Sequence, residues 1–115
     1  MGSAARRPRW RFVDAVDQVN DWQAAGQAIS LVSGKWTVPV LSELTESPKN
    51  YNELARALGT DHKTLARTLR RLQEDNLVLR ESQGPQRVTY SLAPRAREIT
   101  SLIEALACWW QSNAT

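Results

Sequence analysis

Four cationic side chains and one imidazole fall within residues 62–71: His62, Lys63, Arg67, Arg70 and Arg71, with no acid among them. Guanidinium groups donate in a planar fork that fits a phosphate or the O6/N7 edge of guanine, and an ammonium acts as a point charge toward phosphate. Their spacing sorts them. Leu65, Leu69 and Leu72 recur at i, i+4, i+7 and share one face of a helix, whereas Lys63, Arg67 and Arg70 fall on the opposite side, with Thr64 and Arg71 on one flank. The first acids downstream are Glu74 and Asp75. A solvated surface row would ordinarily interleave both signs. This one does not, and its chemistry is that of polyanion binding.

Other chemistries lack their parts. One cysteine, Cys108, and one histidine, His62, permit neither an intrachain disulfide nor a Cys/His metal site within one chain. Scattered serines and a single imidazole supply no nucleophile–base pair, and no glycine-rich phosphate loop is present. No enzyme, metal or cofactor is therefore expected. The 115 residues carry a net charge of +3 and are 42% hydrophobic, which fits one domain with a small core. The charge is uneven. Residues 12–58 hold six acids against Lys35, Lys49 and Arg56, while residues 62–97 hold eight cations against Glu74, Asp75 and Glu81. No apolar run reaches the ~18 residues of a membrane span, and the arginine-rich start lacks the apolar segment of a secretory signal. No membrane partner is expected, and the cytoplasm is the expected compartment.

The basic helix needs elements to hold it. A short helix over Tyr51 to Leu58 precedes it, with Asn50 and Glu53 spaced as a capping box and Gly59 as the stop. Asp61 stands where it would cap the basic helix, and Asn76 where a left-handed exit would end it. Helix, tight turn, basic helix is the helix-turn-helix arrangement, whose second helix enters the major groove. Residues 77–81 and 87–92 are β-rich around the turn segment Ser82-Gln83-Gly84-Pro85-Gln86, which predicts a two-stranded hairpin, the wing. Arg80 and Arg87 sit near its ends, where they either touch phosphate or remain ordinary solvated charges.

Upstream, residues 1–9 read as a disordered basic tail carrying Arg6, Arg7 and Arg9. Trp10 to Asp21 reads as a helix with Phe12, Val13, Val16 and Val19 inward, and Trp22 to about Ser33 as a second, with Gly34 at the position that ends it. A third runs from Trp36 to about Thr45 with Trp36, Val40, Leu41 and Leu44 as its stripe; Pro39 is tolerated in a first turn. Pro94 opens a last helix to about Asn113. Ile99, Ile103, Leu106 and Trp110 are spaced 4, 3, 4 there, and Leu102 and Trp109 widen the seam. So apolar a stripe predicts dimerisation through the N-terminal helices (10–33, including Phe12 and Val16) and the C-terminal helix (94–113), around a winged helix-turn-helix over 36–92. The expected fold is mainly α with a small β-hairpin, one domain over 10–115.

A family resemblance rests on five motifs in order: Gly34-Lys35-Trp36-Thr37-Val38-Pro39-Val40-Leu41, Tyr51-Asn52-Glu53-Leu54, His62-Lys63-Thr64-Leu65, Arg67-Thr68-Leu69-Arg70-Arg71-Leu72 and Val88-Thr89-Tyr90-Ser91-Leu92. Over roughly residues 20–110 the chain resembles the HxlR-type winged-helix regulators, relatives of the MarR regulators. The resemblance implies a homodimeric bacterial transcription factor on a pseudo-palindromic operator of double-stranded DNA. Many members carry a sensing cysteine before the first core helix; register on Gly34-Lys35-Trp36 puts that position at about Gln23, which forms no thiolate. Cys108 is expected to be a buried small hydrophobe rather than an oxidant or electrophile sensor.

In such a dimer the two basic helices would lie about 34–36 Å apart, one DNA turn. His62, Lys63, Thr64 and Arg67 are then placed for base edges, and Arg70, Arg71, Arg80 and Arg87 for phosphates. Five tryptophans stand outside the reading helix. Packing accounts for each singly; the alternative is that Trp22, Trp36, Trp109 and Trp110 line a pocket for a flat aromatic effector, which would make the chain a ligand-released repressor. A winged-helix protein-interaction module is the competing class, and it would not need a bare cationic row.

Overall fold

Leu65, Leu69 and Leu72 are each at most 1% exposed, and the other elements are arranged around them. They lie on α4 (His62–Glu74). Full burial of a leucine contributes about 1.5–3 kcal/mol relative to exposure, so this stripe is a main source of the domain's stability. The computed structural model describes residues 22–114. The basic tail expected at 1–9, the helix read over Trp10 to Asp21 and the expected interface residues Phe12 and Val16 lie outside the described residues.

Among the described residues, five helices and three strands follow in the order α1 (Trp22–Leu31), α2 (Thr37–Glu46), β1 (Lys49–Asn50), α3 (Tyr51–Leu58), α4, β2 (Val78–Ser82), β3 (Val88–Leu92) and α5 (Pro94–Asn113). Val40, Leu41 and Leu44 of α2, Leu54 of α3, Leu77 and Val78, Tyr90 and Leu92 of β3, and Ala96 of α5 join the α4 leucines in one core. Pro39 sits in the first turn of α2, where its absent N–H leaves no helical bond unmade.

The sheet has three strands in the order β1-β3-β2, not the two of a simple hairpin. The third is two residues long: Lys49 and Asn50 pair antiparallel with Tyr90 and Thr89. Neither has strand propensity. They are drawn into the ladder because Ser47, before Pro48, is extended at φ −172° and ψ 160° and leads the chain along β3. Asn50 then serves twice, as the end of β1 and as the cap of α3.

Gly34 does not take the left-handed conformation expected of a helix stop; among the described glycines only Gly59 and Gly84 have positive φ. Helix α1 ends earlier, at Leu31, in tighter bonds from Val32 N–H to the Ile29 carbonyl and Ser33 N–H to the Ser30 carbonyl. Glycine is required at 34 for space. A Cβ there would stand 2.8 Å from Thr37 Oγ1, and Thr37 is buried.

Helix α1 buries no residue fully, and α5 buries only Ala96 and Thr100, both in its first two turns. Among the described residues no helix is long and apolar enough to cross a membrane.

Candidate nucleic-acid interface

Two caps and two left-handed residues set the geometry of the reading helix. Asn50 Oδ1 accepts from the Glu53 N–H at 2.8 Å while Glu53 Oε1 accepts from the Asn50 N–H at 2.8 Å, a complete capping box on α3. Gly59, at φ 64°, ends α3 and donates to the Ala55 carbonyl at 2.9 Å. Asp61 Oδ1 then accepts from the Thr64 N–H at 2.7 Å and starts α4. Those hydrogen bonds hold the Asp61 carboxyl below its ordinary range, with the positive charges of Arg67 and Lys63 adding in the same direction. At the other end Asn76, at φ 59°, donates to the Gln73 carbonyl, and Leu77 donates to the Leu72 carbonyl, a two-bond closure of the helix.

Between those ends, His62, Lys63, Arg67 and Arg70 are all exposed, the last three opposite the buried leucines. The ion pairs among the described residues are Lys49–Glu46 and Arg71–Asp75; neither engages Lys63, Arg67 or Arg70. Asp61 is the acid whose carboxyl feels Lys63 and Arg67, and it forms an ion pair with neither. Thr64 is half-buried on the flank.

Arg71 differs from the other three. Its Nε lies 3.9 Å from Asp75 Oδ2, and an Nη lies 3.6 Å from where a Cβ on Gly34 would sit. Arg95 of α5 donates to the Asp75 carbonyl. Two guanidinium groups therefore converge on the C-terminal end of α4, where the helix dipole favours cations. The Arg71 side chain stays 54% exposed in its i,i+4 pair with Asp75, so the contact leaves Arg71 accessible on the flank of the helix. Nothing in the spacing points to Arg95, whose partner is distant in the chain.

The wing arginines are exposed. Arg80 on β2 pairs across the ladder with Tyr90, so both side chains share one sheet face, and Arg80 emerges at the outer edge strand. Arg87 closes the loop: its N–H donates to the Gly84 carbonyl at 3.0 Å and its carbonyl accepts from Gln83 at 2.9 Å. Gly84 and Gln86, at φ 127° and 66°, permit this tight return.

Tyr51 carries a role that no local pattern marks. Its ring stacks on His62 with centroids 5.4 Å apart and planes 8° from parallel, and its hydroxyl donates to the His62 carbonyl at 2.7 Å. Desolvation, then Tyr90 and Asp61, push the phenol above its ordinary pKa.

Trp36 is half-buried at the start of α2 beneath the Lys35 ammonium at 5.5 Å, and Trp109 and Trp110 meet each other at 6.3 Å on α5. Trp22 is exposed at the start of α1. Cys108 is exposed, against the expectation of burial, because α5 has left the core by that turn. Ile99 and Ile103 pack partly against the chain's own core, whereas Leu102, Leu106, Trp109 and Trp110 remain exposed.

A capped helix-turn-helix followed by a β2–β3 wing, with an exposed cationic face on the second helix that makes no ion pair among the described residues, defines a winged helix-turn-helix DNA-binding regulator. The chain belongs to the HxlR-like helix-turn-helix family, whose model matches residues 31–115. An HTH-type transcriptional regulator of Halalkalibacterium halodurans is 37% identical over 76% of this chain and 81% of its own length. The HTH-type regulator YdzF of Bacillus subtilis is 40% identical over 70% and 78%. Among solved structures, a MarR-family transcriptional regulator from Enterococcus faecalis superposes with a TM-score of 0.79 at 31% identity over 84% of this chain and 91% of that one. The reduced form of the redox regulator HypR gives 0.72 at 26% identity over 79% and 93%. The protein is thus a DNA-binding transcriptional regulator and belongs to a family of regulators, not of enzymes.

Proposed function

We propose that the protein is a cytoplasmic homodimeric repressor that reads a pseudo-palindromic operator and is released by a small, flat aromatic molecule. The observation that carries DNA reading is the row Lys63, Arg67 and Arg70, exposed and unpaired with any described acid. Lys63, Thr64, Arg67 and His62, at or near the start of α4, take base edges; Arg70, Arg80 and Arg87 take phosphates.

Dimerisation is supported by α5. Its apolar stripe is used by the domain at Ile99 and Ile103 and continues uncovered through Leu106, Trp109 and Trp110, each of the last three more than half exposed. Ile29 and Trp22 of α1 are exposed as well. Contiguous apolar surface of this kind marks an interaction face. A second copy also supplies the second reading helix that a palindrome requires. The effector reading rests on the same aromatic surface: ligand held between dimer helices would favour one separation of the reading helices over another.

A second reading has one observation in its favour. Cys108 is exposed beside Trp109, so thiol modification at the dimer face is the competing release signal. Sequencing the duplexes that the purified protein retains from its own genome, with its mass in solution measured alongside, tests the main proposal. Enrichment of an inverted repeat by a dimer supports it; retention without sequence preference, or a monomer that binds as tightly, rejects it.

A further inference from the structure

One aromatic residue outside the reading helix holds that helix's first side chain at both ends. Tyr51 opens α3 and His62 opens α4, eleven residues apart. The phenol ring lies flat on the imidazole, and the phenol hydroxyl donates to the carbonyl of the same histidine. A ring stack alone leaves a side chain able to slide, and a bond to the carbonyl alone leaves it able to rotate. Together they fix the backbone origin of His62 and the plane of its ring. Asp61, immediately before it, is fixed in turn by the Thr64 N–H. Yet His62 is exposed. A solvent-facing imidazole at a helix start ordinarily samples several rotamers, and ordering it on contact with DNA costs affinity and blurs the preference for one base over another.

We propose that Tyr51 is the positioning residue for sequence reading by His62: it orders the imidazole before DNA arrives, so that the ring presents its edge nitrogens to one base pair in each half-site. This rests on the assignment of His62 to a base edge. A donor nitrogen on that edge selects bases offering a major-groove acceptor: the purines at N7, guanine also at O6, and thymine at O4. Tyr51 itself does not touch the duplex. Its contribution is to selectivity, with little effect on affinity for arbitrary DNA.

The test compares wild type with Tyr51→Leu, Tyr51→Phe and His62→Ala, each selecting from a randomised duplex pool, with circular dichroism and thermal unfolding confirming the fold. His62→Ala is expected to relax the preference at one base pair per half-site by about tenfold, and Tyr51→Leu to relax it at that same pair to a similar extent. Tyr51→Phe keeps the stack and loses the bond to the His62 carbonyl, so it should relax the preference less than Tyr51→Leu does, by about threefold. Binding to random duplex should stay within about twofold of wild type for both Tyr51 variants. In NMR spectra, the ring protons of His62 should lose their ring-current shift in Tyr51→Leu and keep it in Tyr51→Phe. If His62→Ala relaxes one position and Tyr51→Leu does not, the positioning role is wrong while the base contact stands. If His62→Ala changes no preference, the base contact fails and the positioning role fails with it. Equal weakening on all duplexes by a folded Tyr51→Leu also overturns the proposal, since it would assign Tyr51 a purely structural role.

Discussion

The Leu77 N–H donates to the Leu72 carbonyl at 2.8 Å, and both side chains are fully buried in the same core. This closure ends the reading helix and aims the chain into the wing in one step. It depends on Asn76 at φ 59° between them. Asn76→Val should lower stability by about 1–2 kcal/mol, because a branched Cβ collides with the backbone in that conformation. Asn76→Gly should be neutral or slightly stabilising. Urea unfolding of the two variants checks this; equal losses would mean the left-handed exit is not what matters.

Two glycines give opposite expectations. Gly34→Ala would push a methyl to 2.8 Å from Thr37 Oγ1 at the buried start of α2 and should cost about 1–3 kcal/mol. Gly26, inside α1, has nothing within 4 Å of an added Cβ, so Gly26→Ala should gain roughly 0.5–1 kcal/mol through helix propensity. Thermal unfolding of both variants reads the sign directly.

The cap on the reading helix predicts an acid dependence. Asp61 is held below its ordinary pKa by its bonds to Thr64, so its folded value lies under its unfolded one. Its stabilisation is therefore present above the ordinary aspartate range and is lost as pH falls through the lowered folded value. The exchange protection of the first-turn amides of α4, taken relative to the intrinsic rate at each pH, should fall in acid in wild type and should be low at all pH values in Asp61→Ala. The same loss of protection in acid in Asp61→Ala would assign it to another carboxylate.

The bare half of α5 predicts that Trp110→Glu yields a monomer by sedimentation, with the fold kept, since Trp110 is exposed and outside the core. Mild oxidant should leave DNA binding within about twofold of the reduced protein, and Cys108→Ser should behave as wild type. Release by oxidant that disappears in Cys108→Ser would replace the aromatic effector with a thiol switch.

Most of the frame is readable because it is built from local chemistry. The capping box at Asn50 and Glu53, the stops at Gly59 and Asn76, the cap at Asp61 and the start at Pro94 each depend on a few adjacent residues, and each stands where its type and spacing put it. What escapes depends on partners far along the chain. β1 exists only because β3 lies beside it. Arg71 and Arg95 meet at Asp75 only after α5 folds across, and Tyr51 meets His62 only across the turn. Helical periodicity groups Ile99 with Trp110 in one stripe but has no means of saying where along α5 the core ends.

Function rests above all on the face of α4 that bears Arg67 and Arg70 lying against a duplex. A salt titration of binding to the duplex enriched by wild type, run for wild type and for Arg67→Ala/Arg70→Ala, probes that face without intermediaries. The double variant should fold normally, bind at least about tenfold more weakly, and show a shallower dependence of log affinity on log salt, by about 0.9 for each phosphate no longer neutralised. An unchanged affinity and an unchanged slope in the folded double variant would mean that DNA lies elsewhere on the protein or not on it at all.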